Sequence, residues 1–167
     1  MAGLESLFQS VGIVVDEVLP ENRTEKKSDR KWRKASESAG VRKFQSKEGM
    51  AIWVGRNHKE NEELVIRLAR GNDLWLHVKG RPGAHVVVQL PGGKSPSLET
   101  LLDAATLVGY YSGVTADQKV EVDYTFRKYV KRVPGGGDEK FLVSYTQNKT
   151  LMLKMEEERL WRLLKQH

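Results

Sequence analysis

The sequence predicts an α+β domain with a mainly antiparallel sheet and helices packed on one of its faces. Stretches of alternating apolar and polar residues follow one another across short turns rich in Gly and Pro, which is typical of antiparallel strands. Helical patterns occur before and after these strands. They do not lie between every pair of successive strands, as a parallel sheet would require. With 167 residues, the chain is long enough for one domain with a buried core.

The first forty residues differ in composition from the rest. Between Pro20 and Gly40, almost the only apolar residue is Trp32. Residues 22–43 carry nine Lys and Arg against three acidic residues, an excess equal to the net charge of +6 of the whole chain. We therefore interpret residues 1–40 as a basic extension that is flexible in part and expect a polyanionic partner, the alternative being a solvated charge run.

The patterned part of the chain begins with a strand and a helix. Residues 50–54 form a short apolar run that Gly55 ends. Asn57 can cap the following helix while the Glu60 side chain reaches back toward the cap, as in a capping box. We expect this helix to extend to Arg70.

A hairpin follows the helix. Residues 73–78 alternate strictly, residues 79–84 contain two Gly and one Pro, and residues 85–90 form a second strand. The aliphatic residues of the first strand predict its buried face: Leu74, Leu76 and Val78.

The rest of the domain adds a helix, three strands and a closing helix. Ser95 or Ser97 caps the helix, which carries one apolar stripe and ends at Gly113. The expected strands cover residues 119–126, 140–145 and 149–153. The chain thus divides into an extension of residues 1–40, a domain of residues 41–154 and a C-terminal helix of residues 155–167.

The composition excludes several classes of function. No Cys is present, so disulfides, thiolate metal sites and cysteine nucleophiles are excluded. No apolar run reaches about 18 residues, so we expect no membrane span. The glycines of the chain do not form a Walker phosphate loop.

The polar face of the hairpin carries Asp73, Trp75 and His77. An exposed Trp is a platform on which a base can stack, and a neighbouring His can donate to a phosphate or a base edge. Asp73 could orient that His. The alternative is a covered sheet face, in which Trp75 packs under a helix and His77 forms a structural hydrogen bond.

A second alternative is a metal-dependent hydrolase or nuclease. If His85 shares the face of His77, the two imidazoles and Asp73 could hold a metal ion. The spacing is not a known metal signature, so we predict no metal and no cofactor.

Several short blocks, in the same order along the chain, resemble the RNA-binding (NFACT-R) domain of the NFACT family. The resemblance covers residues 42–153 and does not depend on one motif. The matching blocks are Gly49, Val54 to Asn57, Asn61, Asp73 to His77, Pro82 to Val87, Leu98, Ala104 and Ala105, Tyr110 to Ser112, Val120 to Thr125, Lys128 to Lys131, and Lys149 to Leu151.

The resemblance implies a non-catalytic, cytoplasmic module that binds tRNA or large-subunit ribosomal RNA in ribosome-associated quality control. Full-length family members carry an N-terminal domain and a long coiled coil, both of which are longer than 40 residues. We therefore expect a stand-alone version of the module. Membrane binding is not expected, and the oligomeric state stays open.

The predicted RNA-binding residues combine the polar face with nearby basic positions. Arg56 and Asn57 match a family element, and the run from Arg127 to Arg132 forms a local basic cluster. The full set is Arg56, Asn57, Asp73, Trp75, His77, Lys79, Arg81, His85, Arg127, Lys128 and Lys131.

Overall fold

The computed structural model describes residues 27–92, 94–134 and 140–166. From Trp32 onward, the described residues form one compact unit. Its helices, together with the helix that leads into it, are α1 (Lys27–Ala39), α2 (His58–Glu62), a π-helix that continues α2 (Glu63–Leu68), α3 (Leu98–Tyr111), a 3₁₀ turn (Arg127–Tyr129) and α4 (Glu157–Leu164). The strands are β1 (Arg42–Gln45), β2 (Ala51–Gly55), β3 (Leu74–Val78), β4 (His85–Val88), β5 (Lys119–Phe126), β6 (Val130–Arg132), β7 (Val143–Tyr145) and β8 (Lys149–Lys154).

Six strands form one antiparallel sheet in the order β1-β2-β4-β3-β5-β8. The predicted α+β class is confirmed. The predicted hairpin is formed by β3 and β4, with Trp75 opposite Val87. Most of the predicted basic extension of residues 1–40 lies outside the described residues, and its boundary at residue 40 stays a prediction.

The two strands expected around residues 146–148 do not pair with each other. Strand β7 pairs with β6 in a separate two-stranded sheet, whereas β8 pairs with β5 at the edge of the large sheet. Gln147 adopts a positive φ of 56° between them. The chain therefore changes from one sheet to the other within a few residues.

The first face of the large sheet is covered by α3 and α4. Leu74, Leu76 and Val78 are buried on this face, as predicted. Leu107 and Leu163 contribute the facing side chains from the two helices. This layer is almost entirely aliphatic.

The opposite face of the sheet is also covered, by α1, the π-helix and the β6–β7 hairpin. Trp75 lies under this layer and is 0% exposed. The prediction that Trp75 presents an exposed ring is therefore wrong, and the alternative of a covered face is correct. The reason is that Tyr145 and other apolar residues of the hairpin, far along the chain, pack against the same face.

The predicted cap at Asn57 is confirmed, whereas the returning bond of the capping box goes to the residue before the cap. Asn57 Oδ1 accepts from the Glu60 backbone N–H at 2.9 Å, and the Glu60 carboxylate reaches back to the Arg56 N–H. The helix ends at Leu68, earlier than expected. Gly55 is required here, because a Cβ at this position would lie 2.4 Å from Asn61 Oδ1.

None of the helices in the described part of the chain is both long and apolar enough to cross a bilayer.

Candidate nucleic-acid interface

A pocket of about 290 Å³ opens on the second face of the sheet. Its floor holds the side chains of β3 and β4, and the β6–β7 hairpin forms one wall. The lining residues that carry polar or aromatic groups are His58, Asn61, His77, Arg81, His85, Phe141 and Tyr145.

The β3–β4 register brings the predicted His77 and His85 together in this pocket. Their ring centroids are 4.7 Å apart, and Trp75 stacks parallel to His77 with its ring centroid at 5.7 Å. Tyr145 packs on Trp75 from above, with 4.7 Å between centroids. Trp75 is therefore the buried support of the two imidazoles.

Hydrogen bonds fix the tautomer of each imidazole. The Trp75 indole N–H donates to His85 Nδ1 at 3.1 Å, so the proton of a neutral His85 sits on Nε2. His77 Nδ1 lies 2.7 Å from the Val78 carbonyl, which can only accept, so His77 carries its proton on Nδ1. The two rings thus have opposite tautomers.

Both imidazoles are held neutral. Burial lowers the pKa of His77 below its ordinary value of 6.5 and outweighs the opposing influence of the Val78 and Gly83 carbonyls and of Asp123. The pKa of His85 lies well below 6.5 because of burial first, and then repulsion from the other two histidines of the pocket. The pocket therefore has a neutral floor in a basic protein.

Asp123 anchors the hairpin wall of the pocket through Tyr145. It lies opposite His77 in the β3–β5 register and accepts hydrogen bonds from the Tyr145 hydroxyl and the Thr150 hydroxyl. Burial, followed by the bond to Asp123, raises the pKa of Tyr145 to about 12. Tyr145 is therefore fixed in place as a neutral phenol.

Asp73 does not join this group. Its two carboxylate oxygens accept from the backbone N–H groups of Arg70 and Leu90, which ties β3 to the preceding turn and to the end of β4. The predicted pairing with His77 is not formed. In the described ranges, no group of three acidic or imidazole side chains is placed to hold a metal ion.

Arg56 and Asn57 shape the start of α2. The Arg56 guanidinium binds both carboxylate oxygens of Glu60, each at 3.0 Å, and reaches the Gly40 carbonyl at 3.3 Å. These contacts raise the pKa of Arg56 and lower that of Glu60. The Asn57 side chain is occupied by the cap.

The basic cluster at Arg127 divides into two kinds of residue. Arg127 is half-buried and binds the carbonyls of Val65 and Val130, so it ties the π-helix to β6. Burial lowers its pKa. Lys128 and Lys131 are exposed, and Lys128 is held at 5.5 Å from the rings of two aromatic neighbours.

Lys79 and Arg81 lie on the turn between β3 and β4. Both are exposed, and Arg81 lines the pocket. Gly80 takes a positive φ of 75° in this turn. The loop therefore presents two cations beside the imidazole floor.

Sequence reasoning missed His58, Asn61, Phe141 and Tyr145 as pocket residues. A signal for Asn61 was present, because Asn61 is one of the positions that match the NFACT-R blocks. Phe141 and Tyr145 gave no signal, because the hairpin that carries them folds over the sheet only in the tertiary structure.

These features define a basic α+β domain with a preformed, imidazole-lined pocket and exposed cations beside it. The chain matches the family of the NFACT protein RNA binding domain over residues 40–139. It therefore belongs to this family, as the sequence resemblance indicated.

The relatives are much longer proteins. The chain is 35% identical over 122 residues to the Rqc2 homolog RqcH of Bacillus subtilis, covering 73% of this chain and 20% of the relative. It is 39% identical to RqcH of Streptococcus pneumoniae, and the match covers 65% of this chain and 19% of that protein. It is 29% identical to the ribosome quality control complex subunit NEMF homolog of Drosophila melanogaster, and the match covers 68% of this chain and 13% of that protein. The chain thus spans about a fifth or less of these relatives.

A solved structure shares the fold. The C-terminal part of the fibronectin/fibrinogen-binding protein from Streptococcus suis superposes with a TM-score of 0.65 at 28% identity. The match covers 87% of this chain and 52% of the solved chain.

Proposed function

We propose that this protein is a non-catalytic RNA-binding module that acts in the cytoplasm in ribosome-associated quality control, on tRNA or on RNA of the large ribosomal subunit. The observation that carries the proposal is the family match, which spans the pocket floor and the exposed cations around it. The names of its relatives support the link to ribosome quality control.

The exposed cations supply the contacts to phosphate. Lys79, Arg81, Lys128 and Lys131 are exposed and can each approach an RNA backbone. Phosphate contacts release counterions, so affinity falls with salt. They position the RNA and carry no base information.

The members of the predicted set that are engaged in contacts within the protein act indirectly. Trp75 supports the imidazoles, and Asp73 fixes the entry to β3. Arg56, Asn57 and Arg127 hold α2 and the π-helix against the sheet. They position the surface on which the RNA lies.

The test is fluorescence anisotropy with labelled tRNA and with a labelled large-subunit rRNA fragment, over a range of salt concentrations. The double variant Lys128→Ala, Lys131→Ala should lower the affinity for both RNAs alike. It should also reduce the slope of log K against log salt by about 0.7–0.9 per lost contact. The matched control is Lys119→Ala, Lys154→Ala, which removes two exposed lysines at the opposite end of β5. Equal losses from both double variants would contradict an oriented RNA surface, and no binding by the wild-type protein would overturn the proposal.

A further inference from the structure

The imidazole-lined pocket contains two hydrogen-bond donors that have no partner among the described residues. The neutral tautomer of His85 leaves Nε2–H unused there, since the side-chain hydrogen bond of His85 joins Nδ1 to Trp75. Asn61 Oδ1 accepts from the His85 backbone N–H at 3.3 Å, which orients the amide and leaves its NH₂ without a partner.

Both donors are aimed into the pocket. Asn61 and His85 are each 4% exposed, and both line the pocket. Within the described residues, Arg159 Nε is the sole side-chain polar atom that is fully enclosed and unpaired. The free nitrogens of Asn61 and His85 are therefore reached by solvent, and the pocket is where these residues meet solvent.

The shape and walls of the pocket suit a flat aromatic ligand. Phe141 lies 5.4 Å from His85 between ring centroids, and Tyr145 is fixed by Asp123. The volume of about 290 Å³ is just below the range for small-molecule sites, roughly 300–1,000 Å³. A pocket of this size suits one nucleobase.

We infer that this pocket takes one unpaired nucleobase of an RNA chain through an acceptor edge, and that guanine is preferred. Guanine presents two adjacent acceptors, O6 and N7, to which the donors of His85 and Asn61 are complementary. Adenine offers one acceptor and one donor on the same edge, so one protein donor would be left facing a donor. Arg81 at the edge of the pocket meets the adjoining phosphate. The inference rests on the proposed RNA binding and adds base recognition to it.

The experiment compares hairpin RNAs that differ at a single bulged nucleotide. The bulge is guanosine, adenosine or an abasic residue, so the phosphate backbone is the same in all three. By anisotropy at fixed salt, the wild-type protein should bind the guanosine bulge about 5- to 150-fold more tightly than the abasic one, the range given by ordinary base stacking. The adenosine bulge should fall between the two.

Two variants test the pocket itself. Leu142 lines the pocket and is 45% exposed, so Leu142→Trp should fill the opening without disturbing the core. It should abolish the preference for guanosine and leave affinity for the abasic RNA unchanged. Asn61→Asp replaces one donor by an acceptor at the same size and should also remove the preference, whereas Asn148→Asp adds the same charge on an exposed turn and should keep it.

The outcomes separate the two proposals. Equal wild-type affinity for guanosine and abasic bulges would overturn base recognition while leaving RNA binding intact. Failure to bind any of the RNAs would overturn both. Free guanosine monophosphate is a further competitor. If it competes at concentrations similar to those of the bulged RNA, the pocket is a site for free nucleotides, and the inference that it binds a base within an RNA chain is overturned.

Discussion

The two faces of the six-stranded sheet are built from different chemistry. The first face, under α3 and α4, is mainly aliphatic, and its described cluster contains no imidazole. The second face joins Trp53, Trp75 and apolar hairpin residues to two neutral imidazoles and a pocket. The first face is thus stabilised mainly by aliphatic burial, with the ion pairs of Asp103 at its edge. The second face combines burial with hydrogen-bond donors that lack a partner among the described residues.

The largest effect on stability is expected when one buried side chain is removed from each face. Trp75→Ala should lower the free energy of unfolding by about 3–5 kcal/mol, and Leu76→Ala by about 2–5 kcal/mol. Urea unfolding followed by circular dichroism measures both. A small loss for Trp75→Ala beside a large one for Leu76→Ala would mean that the hairpin does not cover Trp75 in solution.

A smaller effect is expected at the start of α2, beside the second face. Arg56→Ala leaves the Glu60 carboxylate, whose side chain is 7% exposed, without its bidentate partner, and should cost about 1–3 kcal/mol. Arg67→Ala is the matched control. Its pair with Glu63 has the same spacing, but the Arg67 side chain is 69% exposed, so we expect a loss of about 0.3–0.5 kcal/mol. Similar losses from both variants would show that Arg56 has no structural role.

The two faces should also respond to acid in different pH ranges. As pH falls below 6.5, the unfolded chain binds protons at His77 and His85. The folded protein does not bind them in this range, so its stability decreases. Each histidine removes at most about 1.4 kcal/mol per pH unit in this range. His77→Gln should make the decline shallower in urea unfolding at a series of pH values.

On the first face, Asp103 responds only at lower pH. The guanidinium groups of Arg159 and Arg162 and the Lys47 N–H hold its pKa below the ordinary value of 3.8, although burial opposes them. Its contribution is present above pH 3.8 and is lost as pH falls through the lowered value. If stability stayed constant down to pH 4 in the wild-type protein, the neutral, buried state of the two histidines would be refuted.

The pH behaviour also changes the role expected of His77. An exposed imidazole would gain charge below pH 6.5 and bind phosphate more tightly. The half-buried ring, with its Nδ1 proton donated to Val78, resists that charge. RNA affinity in mild acid is therefore expected to follow the folded fraction and not the charge of His77.

Local patterns in the sequence determined much of the fold. The alternation at residues 73–78 assigned Leu74 and Leu76 to a core, and the capping box placed the start of α2 at Asn57. The same alternation put His77 on the face opposite these leucines, which the structure bears out. These features depend on neighbours within a few positions, so the local sequence is enough to specify them.

Only the tertiary structure decided what covers the second face. Trp75 is buried by Tyr145, seventy positions further along the chain, and its N–H is satisfied by His85 across the hairpin. Alternation shows which residues share a face, but not whether another layer packs on it. That depends on apolar area brought together from distant segments, and on whether each buried polar group finds a partner there. The pocket and its two free donors arise from this packing, which is why sequence patterns predicted His77 and His85 but not Asn61 or Tyr145.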